Sequence, residues 1–204
     1  MDKMDKTELA NILNQLGEEE LKERLRAKKP NLITQSGLKP SAVLVPMIKR
    51  KEGWCLLFTK RSLEVDSHPG EISFPGGAIE PAESALGAAL RETEEELGIP
   101  RNNLHLLGEL DEISTISGFK IHPFVAELSL PLQLKPNYSE ISEVIILPLA
   151  GFLDPERFQA QNWNHNGRDY PVYFFQFPEC TVWGATAKIT KNLLERVLGV
   201  KPFG

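Results

Sequence analysis

The chain has 204 residues, of which 41% are apolar and 25% charged. This composition is typical of a folded globular protein and excludes a disordered or fibrous one. At about 150 residues per domain, the length predicts one domain with an extension, or at most two small domains. The net charge of -5 argues against nucleic acid and anionic membranes as partners, because both repel a negative protein. A small phosphorylated ligand is compatible with this charge, since it needs only a local positive pocket or a metal.

Cysteine content and the N-terminus indicate a cytoplasmic protein. Cys55 and Cys180 lie in apolar surroundings without metal-ligand spacing, so we expect buried, reduced thiols. Residues 2–6 carry charges where a signal peptide would need an apolar segment. The longest uncharged apolar-rich run, residues 144–153, is about half of the roughly 20 residues that a membrane span requires. We therefore expect no membrane partner.

The first elements predicted are helical. Leucine and isoleucine at spacings of three to five predict an amphipathic helix over residues 7–28, with Thr7 as its N-cap and Gly17 as a point of division. Residues 30–40 contain two prolines and a glycine and predict a linker. We expect residues 1–35 to form an extension that packs on the body of the protein or on a second subunit.

Strands and helices follow in residues 36–204. Residues 42–48 and 54–59 predict two strands joined by a hairpin turn, and Pro46 predicts an edge position or a bulge for the first. A glycine- and proline-rich loop around a short strand covers residues 68–77. A helix is expected over residues 81–97, with Pro81 in its first turn and Gly98 and Pro100 ending it.

The remaining elements predict an α/β fold. Separated strands and helices favour a mixed α/β sandwich, with helices on either side of a sheet. The further strands are predicted at residues 104–110, 121–128, 144–147 and 172–177, with a short helix at 149–153 and a closing helix at 185–198.

Four carboxylates are concentrated in the last turns of the helix at 81–97, in the run Arg91-Glu92-Thr93-Glu94-Glu95-Glu96. A helix C-terminus prefers cations, and Glu92 shares a face with Glu95 and Glu96, where like charges destabilise by roughly 0.2–0.5 kcal/mol per pair. A bound divalent cation such as Mg²⁺ or Mn²⁺ would relieve this repulsion; the alternative is a solvated acidic face. The nearby Gly76-Gly77 turn, which permits close backbone approach, favours a metal–phosphate site.

The pattern over residues 77–99 resembles the Nudix box of the Nudix hydrolases. It runs from Gly77 through Glu83, Arg91-Glu92-Thr93 and Glu95-Glu96 to Gly98-Ile99. All glycine, glutamate and arginine positions match, and Thr93 stands where the family usually has an aliphatic residue. The number of fixed identities makes the pattern specific. The resemblance implies a Nudix-type α/β/α sandwich with a mixed β-sheet for residues 36–204.

The resemblance also implies roles for these residues. Glu92 and Glu96 would be the principal ligands of Mg²⁺ or Mn²⁺, and the Gly77 carbonyl would complete the shell. Glu95 would be a further ligand or the base that activates water. Arg91 would aim Glu95, and Glu83 would orient Arg91. Divalent ions would neutralise a diphosphate and align water for in-line attack on phosphorus.

Two upstream segments resemble the coenzyme A pyrophosphatase branch of this family, namely Leu56–Ser62 and His68–Gly77. Residues 182–187 resemble a further segment of that branch. Phe58, Val65 and Asp66 depart from its usual residues, Asp66 standing where an arginine is usual. The resemblance implies hydrolysis of coenzyme A or acyl-CoA to adenosine 3′,5′-bisphosphate and 4′-phosphopantetheine or its acyl form.

Candidate substrate contacts follow from the charges of such a substrate. Lys60 and Arg61 are candidate cations, with Arg61 preferred as reader of the 3′-phosphate for its bidentate fork, and Gly76 and Gly77 offer backbone contacts. We expect His68 to fix its own loop.

Several alternatives stay open at this stage. Glu140 is expected at the surface, while Glu143 is either a surface residue or an extra base. Trp183 is expected in the core rather than as a platform for adenine. Phe119 and the segment His122-Pro123-Phe124 either stack on adenine or have core or turn roles. ADP-ribose, NADH or a dinucleoside polyphosphate is the alternative substrate, and a non-catalytic nucleotide-binding module is the alternative class. We expect a monomer or homodimer that acts on a small molecule.

Overall fold

The computed structural model describes residues 5–64, 68–165 and 167–203. Val65 and Asp66, two of the departures from the coenzyme A branch, lie outside these ranges. None of the helices within the ranges is long and apolar enough to cross a membrane. In chain order, the elements are α1 (Lys6–Gln15), α2 (Glu18–Arg26), β1 (Lys39–Arg50), β2 (Gly53–Arg61), β3 (Ile72–Ser73), β4 (Gly76–Ala78), α3 (Ala85–Leu97), β5 (Leu104–Glu109), β6 (Ile113–Ser114), β7 (Phe119–Leu128), β8 (Ile141–Pro148), β9 (Phe158–His165), β10 (Arg168–Gln176), β11 (Thr181–Trp183) and α4 (Gly184–Leu198), with 3₁₀ turns at Arg101–Asn103 and Leu149–Leu153.

Two sheets organise the protein, and the fold is mixed α/β as the sequence predicts. The larger sheet has the order β3-β2-β1-β7-β5, with β4 also on β1, β6 on β7 and β8 on β2. β1 and β7 pair in parallel and the other described pairs are antiparallel, so this sheet is mixed. The second sheet is antiparallel, in the order β11-β10-β9.

Of the two positions predicted for Pro46, the edge strand is wrong, because β1 lies at the centre of the larger sheet. The described pairings of β1 with β2 and β7 also have no register shift, so the structure has no bulge there either. One side of β1 pairs with β7 over residues 39–47. On the other side, β4 pairs with residues 41–43 and β2 with residues 47–50. Pro46 lies between these two paired segments, where its missing amide hydrogen is tolerated.

The N-terminal helices pack into the main hydrophobic core, so the first of the two predicted docking alternatives is the one observed. Their leucines at positions 9, 13, 16, 21 and 25 are at most 3% exposed and join the cluster that contains Trp54 and Phe152. Trp54 Nε1 donates to the Leu16 carbonyl at 3.0 Å, which fixes the end of α1. Gly17 separates α1 from α2, as predicted. The N-cap of α1 is Asp5 rather than Thr7, because the Asp5 carboxylate accepts from the Thr7 amide.

Helix α3 carries the acidic run, and its start differs from the prediction. The helix begins at Ala85, because the Ser84 hydroxyl accepts from the Gly87 amide at 3.0 Å and caps it. Pro81 therefore lies in the preceding turn. Gly98 ends the helix in the left-handed conformation, as predicted. Thr93 is fully buried, and its hydroxyl donates to the Ala89 carbonyl at 2.7 Å, which explains how a polar residue fits this position.

The other predicted elements are found close to their expected positions, with additions. The strands over 104–110, 121–128, 144–147 and 172–177 correspond to β5, β7, β8 and β10, and a 3₁₀ turn occupies 149–153. Strands β6, β9 and β11 were not predicted, and the single short strand predicted in residues 68–77 is replaced by two, β3 and β4. Seven of the eight residues of β9 are exposed, so it lacks the apolar pattern that predicts a strand. Both cysteines are free, with Cys55 buried and Cys180 half-buried on a loop.

Truncation of a leucine in the N-terminal helices should destabilise the whole protein. Leu13 is 0% exposed, so we expect Leu13→Ala to lower the free energy of unfolding by about 2–5 kcal/mol through lost burial and a cavity. The matched control is Leu32→Ala, because Leu32 is 69% exposed and its truncation should change stability by less than about 0.5 kcal/mol. Urea unfolding of both variants measures the difference. Equal midpoints for the two would show that α1 does not contribute to the core.

Candidate active site

Strand β4 brings the glycine backbone against β1 and against α3. A Cβ at Gly76 would lie 2.6 Å from Val43 Cα, and one at Gly77 would lie 2.5 Å from Glu92 Cδ. Gly76 also has a φ of 155°, a conformation that side chains disfavour. Glycine at both positions thus lets the β4 backbone touch the Glu92 carboxylate, the close approach that the sequence predicts.

Glu83, Glu92, Glu95 and Glu96 form the carboxylate cluster, and Arg91 hydrogen-bonds to the first three of them. Its Nε and Nη2 donate to the two oxygens of Glu83 at 3.1 and 3.2 Å, and Nη2 also donates to the Ala78 carbonyl at 3.2 Å. Its Nη1 donates to Glu92 Oε1 at 2.8 Å and to Glu95 Oε2 at 3.1 Å. The predicted contacts of Arg91 with Glu83 and Glu95 are therefore present. The contacts with Glu92 and the Ala78 carbonyl were not predicted from the sequence.

The charge of Arg91 acts unequally on its partners. Its hydrogen bond holds the pKa of the half-buried Glu83 below the ordinary value. Burial nevertheless raises the pKa of Glu92, and the bond from Arg91 only partly opposes this. The charge of Arg91 is therefore too weak to offset the cost of ionising the partly buried Glu92.

Glu96 is the most strongly perturbed carboxyl of the cluster. The residue is 6% exposed, and its buried Oε2 has no hydrogen-bond partner. Burial, followed by the charge of Glu92, raises the pKa of Glu96 to about 8, while the charge of Arg61 and the Gly76 amide oppose the shift. A buried polar atom without a partner is rare in a folded protein and needs an explanation.

The donor set fits a hard divalent cation. As the side chains lie, the described ranges hold no group of three or more His, Cys, Asp or Glu that is ready to hold a metal. One reason is that Arg91 draws Glu92 and Glu95 towards itself. The partnerless Glu96 Oε2 and the Glu92 carboxylate on the Gly77 backbone supply the oxygen ligands that such cations prefer.

The segment after β7 closes the C-terminal end of α3. The amides of Lys135 and Asn137 donate to the carbonyls of Leu97 and Glu96 at 2.8 and 2.9 Å. These bonds satisfy carbonyls that a helix end leaves free. The same segment places the exposed Glu140 close enough to raise the pKa of Glu96 by charge repulsion. Glu140 is at the surface, as expected, yet it adds negative charge to the cluster.

Lys60 and Arg61 point to different regions of the protein. A bulge interrupts the β2–β8 pairing at these residues, since Lys60 pairs with Glu143 and Arg61 with Ile141. Arg61 acts on Glu96 through its charge. Lys60 lines a cleft of about 530 Å³ between the two sheets, and its Nζ lies 3.5 Å from Glu143. Glu143 is thus a partner of Lys60.

The loop before β4 is held by His68, as expected. His68 Nδ1 lies 3.0 Å from Glu71 Oε2. The amide of Gly70 donates to the Arg61 carbonyl at 3.2 Å, and the Arg61 amide donates to the Glu71 carbonyl at 2.9 Å. These contacts connect the loop to the end of β2 and so fix its position beside Arg61.

The expectation of a core position for Trp183 is wrong. Trp183 is half-buried and lines the same cleft as Lys60, together with Trp163 and Phe174. Trp163 and Phe174 were not predicted as members of a site, because β9 has no apolar pattern and the position of Phe174 beside Trp183 depends on strand pairing. The pairing of Phe174 with Trp183 across β10 and β11 is the feature that brings the rings together.

Comparison with known families agrees with the resemblance in the sequence. A family described as NUDIX domain matches residues 38–173, which is more than half of the chain. The chain is 34% identical over 163 residues to a protein called uncharacterized Nudix hydrolase NudL from Escherichia coli K12, covering 79% of this chain and 84% of NudL. The NudL of Photorhabdus laumondii is 34% identical over 158 residues, covering 77% and 84%.

Solved structures with a similar arrangement include two hydrolases. An Ap4A hydrolase from C. elegans, in a binary complex, is 22% identical with a TM-score of 0.48, over 53% of this chain and 80% of that one. A Nudix hydrolase from M. smegmatis is also 22% identical with a TM-score of 0.48, over 59% of this chain and 76% of that one.

The raised pKa of Glu96 predicts a specific pH dependence of stability without metal. Below pH 4.5, the ordinary pKa of a glutamate, the carboxyl is protonated in both states and has no effect on the pH dependence. Between pH 4.5 and about 8, the unfolded chain has released this proton while the folded protein keeps it, so rising pH favours unfolding by at most about 1.4 kcal/mol per unit. Above about pH 8 both states are ionised and the full destabilisation remains.

Glu96→Gln should therefore stabilise the metal-free protein at pH 8 and lose this advantage as the pH falls towards 4.5. Urea unfolding in EDTA across this range measures the difference between the two proteins. Glu94→Gln is the control, because Glu94 lies on the same helix, is exposed and pairs with Arg101. A gap between Glu96→Gln and wild type that does not change with pH would show that Glu96 keeps an ordinary pKa.

Proposed function

Because this chain belongs to the Nudix family, we propose that it hydrolyses the diphosphate linkage of coenzyme A or acyl-CoA. The products would be adenosine 3′,5′-bisphosphate and 4′-phosphopantetheine or its acyl form. Nudix hydrolases act on small phosphoanhydrides and generally need divalent metal ions. The observation that carries the hydrolytic part of the proposal is the partnerless Oε2 of Glu96, buried beside Glu92 and the glycine backbone of β4.

The proposed cation ligands are Glu92, Glu96, Glu95 and the Gly77 carbonyl, with Mg²⁺ or Mn²⁺ as the ion. A bound divalent ion would neutralise the diphosphate and lower the pKa of a bound water. Apart from the ion, phosphoryl transfer requires that the substrate and the water be positioned and that the charge of the transition state be stabilised. We assign these roles to residues of this chain.

Glu95 is the proposed proton acceptor for the attacking water. Its side chain is 56% exposed, so solvent and substrate reach it. Arg91 donates to its Oε2, which holds the carboxylate and leaves Oε1 to accept the proton of the water. Glu83 in turn holds Arg91 through two hydrogen bonds. Water thus loses its proton to Glu95 as its oxygen bonds to phosphorus and the phosphoanhydride oxygen leaves.

Arg61 and Lys60 are proposed to hold different phosphates. Arg61 lies close enough to the carboxylate cluster to oppose the raised pKa of Glu96, so its charge suits the diphosphate under attack. Lys60 lies outside the cluster, on the wall of the cleft, in an exposed and long ion pair with Glu143. Such a pair is weak, so Lys60 can turn to an anion such as the 3′-phosphate. This assignment reverses the preference for Arg61 drawn from the sequence.

The substrate is tested by incubating the protein and Mg²⁺ with coenzyme A, acetyl-CoA, ADP-ribose, NADH and diadenosine polyphosphates. Mass spectrometry identifies the products. We expect adenosine 3′,5′-bisphosphate from coenzyme A, with the highest kcat/KM of the panel. Faster cleavage of ADP-ribose or NADH would reject the coenzyme A proposal and keep the hydrolase, whereas no cleavage of any compound would reject both.

Substitution of Glu95 or Glu96 should lower kcat far more than substitution of Glu94, which lies on the same helix. We expect Glu95→Gln and Glu96→Gln to lower kcat by several orders of magnitude, because they remove the proton acceptor and a cation ligand. Glu94→Gln should keep wild-type kcat, since Glu94 pairs with Arg101 instead. Steady-state kinetics on the best substrate of the panel measures this. Near-wild-type turnover by Glu95→Gln or Glu96→Gln would remove that residue from the mechanism.

The proposed roles of Lys60 and Arg61 are distinguished by comparing coenzyme A with dephospho-coenzyme A, which lacks the 3′-phosphate. We expect Lys60→Ala to raise KM for coenzyme A by about tenfold, the usual effect of losing a charge-assisted hydrogen bond, with little change for dephospho-coenzyme A. Arg61→Ala should impair both substrates equally, because both contain the diphosphate. If instead Arg61→Ala raised KM for coenzyme A alone and Lys60→Ala affected both substrates equally, Arg61 would be the residue that binds the 3′-phosphate.

A further inference from the structure

A cleft between the two sheets is unusually aromatic. Its volume of about 530 Å³ lies in the range of small-molecule sites. One side is formed by Lys60 and by Glu71 and Ile72 of the larger sheet and its loop, and the other by residues of β9, β10 and β11. The cleft is thus a space into which both sheets contribute side chains.

Three rings form one wall of this cleft. The rings of Phe174 and Trp183 are nearly parallel, with 7° between their planes and 6.1 Å between their centroids. The ring of Trp163 lies 5.8 Å from Trp183 and is tilted by 43°, and the residue is 42% exposed. Large aromatic faces left open to solvent mark binding surfaces more often than accidents of packing. Flat faces of this kind suit a planar ring, which can stack on them.

The polar groups of the cleft indicate which planar ring. Glu71 and Glu179 contribute carboxylates and Thr181 a hydroxyl, so the interior can accept hydrogen bonds from an amino group. Lys60 supplies the positive charge on the same lining. A neutral heteroaromatic ring that carries an exocyclic amine, with a phosphate attached near it, matches both features.

The cleft is connected to the carboxylate cluster by a short stretch of chain. Ile72 lines the cleft, and the amide of Gly76 bonds to Glu96. Four residues of extended chain span at most about 14 Å. On the neighbouring strand, Lys60 faces the cleft and Arg61 acts on Glu96. A ribose and a diphosphate can therefore join a base in the cleft to the cluster.

We propose that this cleft binds the adenine ring of the substrate, stacked on Trp163, Phe174 and Trp183, while the diphosphate reaches the carboxylate cluster. The proposal rests on the proposed function, because it assigns the nucleoside end of that substrate. It also orients the substrate, with the pantetheine arm leaving on the other side of the cluster. A flexible pantetheine arm would gain less from these flat rings and would lose more conformational freedom on binding.

Tryptophan fluorescence tests the binding without turnover. Trp54 is 1% exposed in the core, so a ligand-dependent change reports on Trp163 and Trp183. We expect ADP, added without metal, to quench the emission, and Trp163→Ala to weaken ADP binding. Phosphopantetheine should leave the emission unchanged. Quenching by phosphopantetheine but not by ADP would overturn the proposal, and so would the absence of any quenching by ADP at millimolar concentration.

Kinetics give the second test. Since base stacking is lost, we expect Trp163→Ala to raise KM for coenzyme A by about fivefold to a hundredfold with kcat unchanged. The control is Leu32→Ala, which truncates an exposed apolar side chain outside the cleft and should keep the wild-type KM. An unchanged KM in Trp163→Ala would overturn the proposal while leaving the hydrolase intact. ADP binding through Trp163 by a protein that cleaves nothing in the panel would support the cleft and reject the function.

Discussion

Repulsion between Glu92 and Glu96 is the interaction on which the rest of the site depends. The two carboxylates lie one helical turn apart, and both have pKa values raised first by burial. A fold that only needed stability would place an apolar or amide side chain at position 96, because an unpaired buried charge is among the most destabilising groups in a protein. A divalent ion of the kind that Nudix hydrolases generally need would supply the positive charge that Arg91 and Arg61 leave missing.

Such a site requires a rigid frame, and the structure provides one from both sides. The buried face of α3 packs on the centre of the larger sheet through Ala88 and Ala89. The amides of Lys135 and Asn137 hold its C-terminal end. On the opposite side, β4 lies on β1 without side chains between them at Gly76. These contacts hold α3 and β4 in place, so Glu92 and Glu96 remain close together despite the repulsion between their charges.

Much of this could be predicted from the sequence, and for a physical reason. The Glu and Arg spacing on α3 is local, and helical periodicity alone places Arg91 beside Glu95. The glycines of β4 also carry a local signal, since they indicate close backbone approach. The predicted helix boundaries failed at Thr7 and Pro81, because the hydroxyl or carboxylate that caps a helix is chosen by local geometry among several candidates.

Tertiary relations were beyond the sequence. Nothing local indicates that Pro46 lies in a central strand, because β4 and β2, which share one side of β1, come from different parts of the chain. The aromatic cleft could not be predicted for the same reason, since Trp163 on β9 and Trp183 on β11 are brought together by β10, which lies between their strands. The orphaned oxygen of Glu96 is likewise a property of burial, which a run of glutamates does not reveal.

The alternation of side chains along β2 gives Lys60 and Arg61 different surroundings, because the extra residue of the bulge, Ser142, belongs to β8. Neighbouring residues of a strand face opposite ways, so one side chain serves the cleft and the next serves the carboxylates. Under the proposed function, substitution of Lys60 would alter ligand preference and substitution of Arg61 would alter bond cleavage. A lineage built on this scaffold could change the compounds it accepts by remodelling one surface of β2, without rebuilding the chemistry on the other.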